Sequence, residues 1–413
     1  MRNLLILGGG TAGTMAANKL HKKLDPAQWR ITVVDQDDAH HYQPGYLFIP
    51  FGIYAPDEVT RSRRQYIDSD IPLVYGEIDR VDAQAQVVSL LDGRTLPYDQ
   101  LIIATGVSPR PDQTPGLDDP DEWYSSVFDF YTYEGATALG RKLTGWKGGR
   151  LVISIVDMPI KCPVAPLEFA FLADAHFTGR GMRDQVEIVY VTPMPGAFTK
   201  PIASKLFGGM FDERTIALEA DFMLERVDPV AHKLVSYDER EVEYDLLVTI
   251  PLNMGADYIA RSGLGNELNL VPVDNFTQLS KHYDNIFCLG DANDIPASKA
   301  GSVAHFEVEL FIDNFLEHIA GRAMTAKFDG HANCFIETGY GKAMLIDFNY
   351  ETEPLPGKYP YPGIGPMSLL KETKVNHLGK LAFRWAYWNV LLPGRSMPVR
   401  AEMSMSGKKT DLS

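Results

Sequence analysis

The strongest constraint on this chain lies at its start. Residues 3–20 read NLLILGGGTAGTMAANKL: an apolar strand, the turn Gly8-Gly9-Gly10-Thr11-Ala12-Gly13, then a helix of small residues. A G-x-G-x-x-G run in strand–turn–helix order is a dinucleotide-binding turn. Gly8 allows the tight turn, Gly10 lets backbone approach a pyrophosphate, and Gly13 lets the helix pack closely on the sheet. Thr11 and Ala12 sit where the phosphate meets the helix N-terminus, whose unpaired N–H groups favour an anion. A second strand, Arg30 to Val34, ends at Asp35, 22 residues after Gly13. That is the place of a ribose-binding carboxylate. The turn alone serves FAD and NAD equally.

The 413 residues suggest two or three domains. A hydrophobic content of 45% is ample for packed cores. The net charge of −15 argues against a nucleic-acid partner, which would meet a basic face. That charge is uneven: residues from 371 onward carry +5 and the rest −20. A basic tail on an acidic body points to an anionic surface such as a membrane. No run approaches the 18 apolar residues of a spanning helix. The first strand enters the glycine turn directly, so it belongs to the fold and is not read as a signal peptide. Three cysteines are too few for a disulfide scaffold, but enough for a redox pair.

Two further strands carry sequence signals. Residues 98–106, YDQLIIATG, end in Thr105-Gly106, and residues 284–291, DNIFCLGD, end in Gly290-Asp291. Both resemble motifs of flavoproteins with two dinucleotide-binding domains, in which the second contributes an aspartate to FAD. The expected fold class is therefore α/β, with two Rossmann-like domains of glutathione-reductase type and a C-terminal membrane-associating region. The FAD-binding domain is split, 1–120 and 283–330. A second Rossmann-like domain without a nicotinamide site covers 121–282, and a C-terminal region covers 331–413. Within this plan Val88-Ser89 to Tyr98-Asp99 is echoed by Val235-Ser236 to Tyr244-Asp245, each before an apolar strand, which suggests duplication. The second unit has no glycine turn. After the strand Arg150 to Val156 the chain runs DMPIKCPVAP, with no glycine between Gly149 and Gly179. Proline cannot bring backbone to a pyrophosphate as glycine does, so nicotinamide binding is expected to be lost.

That same turn carries Cys162, beside Lys161 and just before a helix beginning near Ala165. A helix N-terminus and a neighbouring lysine should lower a thiol pKa. Buried apolar filler is the competing reading. Cys288 lies inside the apolar strand Ile286 to Leu289 and reads as filler. Cys334 precedes a β-like stretch from Phe335 to Tyr350. His331 stands three residues before it, but no second ligand pair accompanies them, so no metal is expected.

Taken together, the residues resemble the sulfide:quinone oxidoreductases and the related flavocytochrome c sulfide dehydrogenases over nearly the whole chain. The resemblance rests on the glycine turn, His41-Tyr42-Gln43-Pro44-Gly45, the ATG at 104–106 and Cys162-Pro163-Val164-Ala165-Pro166-Leu167-Glu168. It rests also on Gly290-Asp291, Ser298-Lys299-Ala300-Gly301-Ser302-Val303-Ala304-His305 and Cys334. It implies that Cys162 and Cys334 form the redox pair, that Glu168 handles protons, and that sulfide is oxidised to polysulfide or sulfur. It also implies FAD contacts from Gln43, Pro44, Thr105, Gly106, Gly290, Asp291, Lys299 and Ala300, with Lys299 near the flavin. Sulfide would attack the paired cysteines, leaving a persulfide and a thiolate, and Cys334 would pass electrons to the flavin. Many quinone-reducing members have a third cysteine before the first of the pair. None lies between residues 107 and 161, so non-covalent FAD is expected.

The electron acceptor is read from the tail. In residues 377–392, Leu381, Trp385, Trp388 and Leu392 recur at helical spacing, flanked by Lys380 and Arg384, and Pro393-Gly394 ends the run. Such a helix suits a headgroup region, which makes the protein peripheral to a membrane of undetermined face. Packing on the core or on a partner subunit is the alternative, and a homo-oligomer would be compatible. Pro354 to Pro366 reads as a rigid connector. Phe335, Ile336, Tyr340, Ile346 and Phe348 could line a quinone pocket or simply fill a strand core. A flavocytochrome subunit with a haem acceptor and a type II NADH:quinone dehydrogenase are the alternatives; the second needs the nicotinamide site that is missing here.

Overall fold

Apolar runs of four to seven residues, too short for helices, become strands of two parallel sheets that are buried on both faces. The structure is a computed structural model describing residues 1–363, 365–397 and 399–410. Strand Arg2–Leu7 pairs in parallel with Trp29–Asp35 on one side and Gln100–Ile103 on the other. Leu73–Tyr75 extends one edge of this sheet and Ile286–Cys288 the other. The second sheet runs Val127–Phe128, Leu246–Ile250, Gly149–Ile155, Val186–Val191, Ile216–Glu219, again with every pair parallel.

The echo between the two halves has a structural counterpart. Three-stranded antiparallel ribbons, 78–97 and 224–243, precede Gln100–Ile103 and Leu246–Ile250 respectively. The Asp99 carboxylate accepts the Asn3 N–H at 2.6 Å, and Asp245 accepts the Arg150 N–H at 2.7 Å. The same carboxylate therefore ties down the first residues of the leading strand in each unit.

A mixed sheet follows, in the order Ala332–Gly339, Lys342–Phe348, Met367–Leu369, Gly357–Tyr359. This corrects the expectation that 354–366 serves only as a rigid connector. Gly357–Tyr359 pairs antiparallel with Met367–Leu369, and the Lys358 N–H donates to the Gly407 carbonyl at 2.9 Å. Residue 364 of that stretch lies outside the described residues.

The tail helix runs from Lys374 to Ala386 and passes into a single π turn, Tyr387–Leu391. A π turn rotates the following side chains relative to an α-helical stripe. Trp388 and Leu392 are buried, whereas Trp385 is 66% exposed. The expected stripe is thus divided. The exposed apolar face is made by Val375, Leu378 and Trp385 instead. Lys380 is the sharper correction: it points inward and is buried. Among the described residues no helix is long and apolar enough to cross a membrane.

Candidate active site

A cavity of about 1050 Å³ runs from the glycine turn, past the loop carrying Cys162, to the mixed sheet and the tail helix. Gly8, Gly10, Thr11 and Ala12 form its floor at one end. Gly8 has φ +94°, and a Cβ there would stand 2.4 Å from the Ala104 carbonyl oxygen. A Cβ on Gly13 would lie 1.8 Å from the Gly8 oxygen, so the helix can seat only on glycine. A Cβ on Gly10, by contrast, would meet nothing within 4 Å. No side chain caps the helix that starts at Thr11. Its first N–H groups are therefore available to an anion, which fits a pyrophosphate.

Asp35 lines the same cavity. It accepts the Gly9 N–H at 2.7 Å and pairs with the buried Arg63 guanidinium. Gln43 accepts from Lys161 Nζ at 3.1 Å, with Pro44 beside it. The Thr105 hydroxyl shares a hydrogen bond with Tyr258 at 3.1 Å, and Gly106 follows it along the wall. Opposite, the Gly290 N–H donates to Glu307 at 2.8 Å. Burial raises the Asp291 carboxyl even though Lys299 and Lys161 pull it down. Lys299 Nζ donates to the carbonyls of Asp291 (2.9 Å) and Asn293 (2.7 Å), and burial lowers its ammonium pKa. Ala300 lines the wall beside it. An uncapped helix N-terminus with open space at Gly10, a carboxylate at the second strand and a long cavity together fit an FAD.

The cysteine loop replaces the second glycine turn. Cys162 sits at φ +48°, in the left-handed region that non-glycine residues rarely adopt. Its N–H donates to the Lys299 carbonyl at 2.5 Å. Its carbonyl accepts from the Ala165 N–H (2.9 Å) and the Tyr131 hydroxyl (3.0 Å). Such a conformation persists where the surroundings over-determine it. Cys162 and Cys334 face one cavity, whereas Cys288 is sealed in its strand and does not line it. The expected lowering of the Cys162 pKa is not found. Burial raises it, the Glu168 carboxylate adds to the rise, and Lys380 opposes it only in part. The Lys161 amine is turned away toward Gln43. Cys334 is pushed up to about 12 for the same reasons, burial first.

Glu168, in the first turn of helix Ala165–Gly179, is buried with 1% of its side chain exposed. It pairs with Lys380 and accepts the Glu337 N–H at 2.6 Å. Burial raises its pKa, with Lys380 acting against the rise. Burial would lower Lys380, but the carboxylates of Glu168 and Glu337 outweigh it and hold the ammonium above its usual range.

Of the five apolar residues expected around a quinone, Phe335 lines the cavity. Ile336 and Ile346 are fully buried core residues, and Phe348 packs under the Lys200 ammonium at 5.4 Å. Tyr340 is half exposed, with its hydroxyl on Asp174 at 2.8 Å. The apolar wall comes instead from Phe383, Trp385, Met397 and Val399.

Four residues that shape the site gave no local signal. Arg63 holds Asp35, and Lys380 holds Glu168. His40 and Tyr387 close the glycine turn. His40 Nδ1 lies 3.2 Å from the Gly9 carbonyl and its Nε2 lies 2.7 Å from the Tyr387 hydroxyl. That hydroxyl also meets the Thr11 hydroxyl at 2.7 Å. Burial, with Arg63 adding to it, lowers the His40 pKa to about 3.

Comparison with known proteins agrees with this geometry. Residues 2–154 match the pyridine nucleotide-disulphide oxidoreductase family model. The mitochondrial sulfide:quinone oxidoreductase of Dictyostelium discoideum is 26% identical over 95% of this chain and 86% of its own length. That of Mus musculus is 23% identical over the same shares. The sulfide:quinone oxidoreductase of Aquifex aeolicus superposes with a TM-score of 0.79 at 20% identity, covering 94% of this chain and 92% of that one. Fold and cavity define an FAD-dependent oxidoreductase of the two-dinucleotide-binding-domain class. Within that class, the chain is similar over most of its length to sulfide:quinone oxidoreductases.

Proposed function

We propose that this protein oxidises sulfide to polysulfide or sulfur and delivers the electrons, through FAD, to a membrane quinone. The observation that carries the reading is one cavity shared by Cys162, Cys334 and the dinucleotide cradle, with Glu168 buried beside the cysteines. FAD, held without a covalent link, supplies the two-electron acceptor. The chain's own residues do the rest. Hydrosulfide attacks a Cys162–Cys334 disulfide, forming a persulfide on one cysteine and a thiolate on the other. Raised thiol pKa values mean that a thiolate released here is strongly basic and nucleophilic, held in check by Lys380. Glu168 takes the proton that sulfide or the persulfide must lose. In this reading residues 1–120 and 283–330 bind FAD, 121–282 present Cys162, and 331–413 present Cys334 and the quinone wall.

The quinone would enter beside the tail helix. Trp385 is both exposed on the apolar face and part of the cavity wall, so that face and the cavity mouth coincide. This favours a peripheral protein that rests on the membrane with Val375, Leu378 and Trp385 down.

The test is an anaerobic flavin spectrum titrated with sulfide and, separately, with NADH. Bleaching by sulfide, reversed by a soluble quinone, is expected. Cys162→Ser and Cys334→Ser should abolish it and Cys288→Ser should not. Equal loss in all three, or bleaching by NADH alone, would refute the assignment. Reversal only by a cytochrome would point to a haem acceptor.

A further inference from the structure

We propose that Lys380, Glu337 and His377 form the exit for the proton that Glu168 removes from sulfide, leading it from the buried cysteines to the surface of the tail helix. The inference rests on the sulfide-oxidising reading above and adds a route to it.

The need for a route follows from stoichiometry and burial. Dihydrogen sulfide yields two electrons and two protons as its sulfur becomes zero-valent. One proton can travel with the electron pair. The other must leave a site whose nearest base, Glu168, has 1% of its side chain exposed. A proton on Glu168 can leave only into the cavity, which substrate and cofactor would fill, or through a neighbouring side chain.

The structure places a graded series of groups behind it. Lys380 Nζ bonds Glu168 and donates to the Phe335 carbonyl at 3.1 Å. Phe335, whose carbonyl Lys380 holds, lies two residues before Glu337 on strand Ala332–Gly339, and the Glu337 side chain is also 1% exposed with its charge acting on Lys380. Glu337 and Glu168 are further linked by the 2.6 Å bond from the Glu337 N–H. His377 Nδ1 lies 2.8 Å from Glu337 Oε1, and the His377 side chain is 22% exposed. The order is therefore a buried acid, a buried cation on a flexible stem, a second buried acid, and an imidazole that reaches solvent. Lys380 accepts a proton from Glu168 as it swings to give one to Glu337. His377 then takes that proton and releases it to water. No bond other than N–H and O–H changes, and no electron moves. Lys380 and His377 lie three residues apart on one helix, so both face the sheet that carries Glu337.

None of these residues touches the dinucleotide cradle near Asp35 or Gly10, so the exit can be tested apart from cofactor binding. The holoprotein is mixed anaerobically with sulfide below neutral pH in weak buffer. Flavin bleaching and proton release, the latter read by an indicator dye, are followed together. In wild type, one proton should appear in step with each flavin bleached. His377→Ala should slow both on the order of 100-fold, the size of a lost acid–base group, and free imidazole should restore them. Glu337→Gln should give the same slowing without imidazole rescue. It should also remove a carboxyl band from the infrared spectrum of reduced minus oxidised protein. Unchanged rates in His377→Ala, or a loss that imidazole does not restore, would overturn the proposed exit. Failure of wild type itself to bleach with sulfide would instead overturn the functional reading.

Discussion

Replacing Lys380 by methionine keeps the length of the side chain and removes the charge that faces Glu168. The two side chains are 11% and 1% exposed, so the pair has little solvent to fall back on. Removing one partner of a buried pair leaves an uncompensated charge and costs on the order of 3–5 kcal/mol. Glu168 keeps its bond from the Glu337 N–H, so the lower end, about 3 kcal/mol, is expected. The cost should depend on pH. Burial already raises the Glu168 pKa, and loss of Lys380 raises it further. A carboxyl with a raised folded pKa binds more protons in the folded state than in the unfolded one. Its stabilising effect is present at low pH and is lost as pH rises through the folded value, at about 1.4 kcal/mol per unit. Lys380→Met should therefore be least destabilising in the ordinary carboxylate range and most destabilising above the raised Glu168 value. Adding Glu168→Gln removes the stranded charge, and the double variant should be more stable than the sum of the single effects by roughly 2–3 kcal/mol. Urea unfolding at a fixed excess of FAD measures all three, because bound cofactor shifts apparent stability equally. Effects additive within about 0.5 kcal/mol, or a Lys380→Met cost independent of pH, would refute the pairing argument.

Three further outcomes are expected. Gly13→Ala would put a Cβ 1.8 Å from the Gly8 oxygen, so the purified variant should contain far less FAD, as read from the ratio of flavin to protein absorbance. His40 has a depressed pKa, so below about pH 6.5 the unfolded chain binds the extra proton and stability falls until about pH 3. Wild type should lose roughly 4 kcal/mol more over that interval than His40→Phe, measured by acid titration of the unfolding midpoint. Finally, Val375→Asp with Leu378→Asp should weaken binding to anionic vesicles in a sedimentation assay while sulfide bleaching of the flavin is unaffected; equal binding would remove the tail helix from the membrane contact.

The legible parts of this molecule were those in which a single segment carries its own physical reason. The glycine turn needs Gly8, Gly10 and Gly13 within six residues, and its strand and helix flank it directly. Cys162 was found because it interrupts a turn where glycine was expected, and helix Ala165–Gly179 begins where the proline-rich run ends. The less legible parts depend on distant segments meeting. Arg63, His40 and Tyr387 act through partners tens to hundreds of residues away and follow no spacing rule. The tail departs from its sequence pattern for a more specific reason. A period of 3.6 was extended through residue 392, but the π turn at Tyr387–Leu391 breaks that period and turns Trp388 inward. Lys380 looked like a headgroup cation because a lysine beside an apolar stripe is usually solvated. Its carboxylate partner lies 212 residues earlier. The same limit explains the Cys162 thiol. Helix Ala165–Gly179 does begin close to Cys162, but Lys161 turns away toward Gln43, and sequence does not report the burial that raises the thiol.

The bridge from Thr11 to Tyr387 spans 376 positions. The floor of the cradle is thus synthesised long before the segment that finishes it. Until the tail emerges, His40 has no Tyr387 to hold, and Asn18 lacks the Leu392 carbonyl that it otherwise meets at 2.7 Å. Contacts so far apart in sequence form late, after local strands and helices are in place. A chain stalled or clipped near residue 386 would have both parallel sheets and an open cradle. It would lose its yellow colour on dilution while its circular dichroism stayed near normal. Retention of the cofactor therefore reports on the docking of the segment around Tyr387 and Leu392, and a cell that degrades colourless copies would be discarding those that lack it.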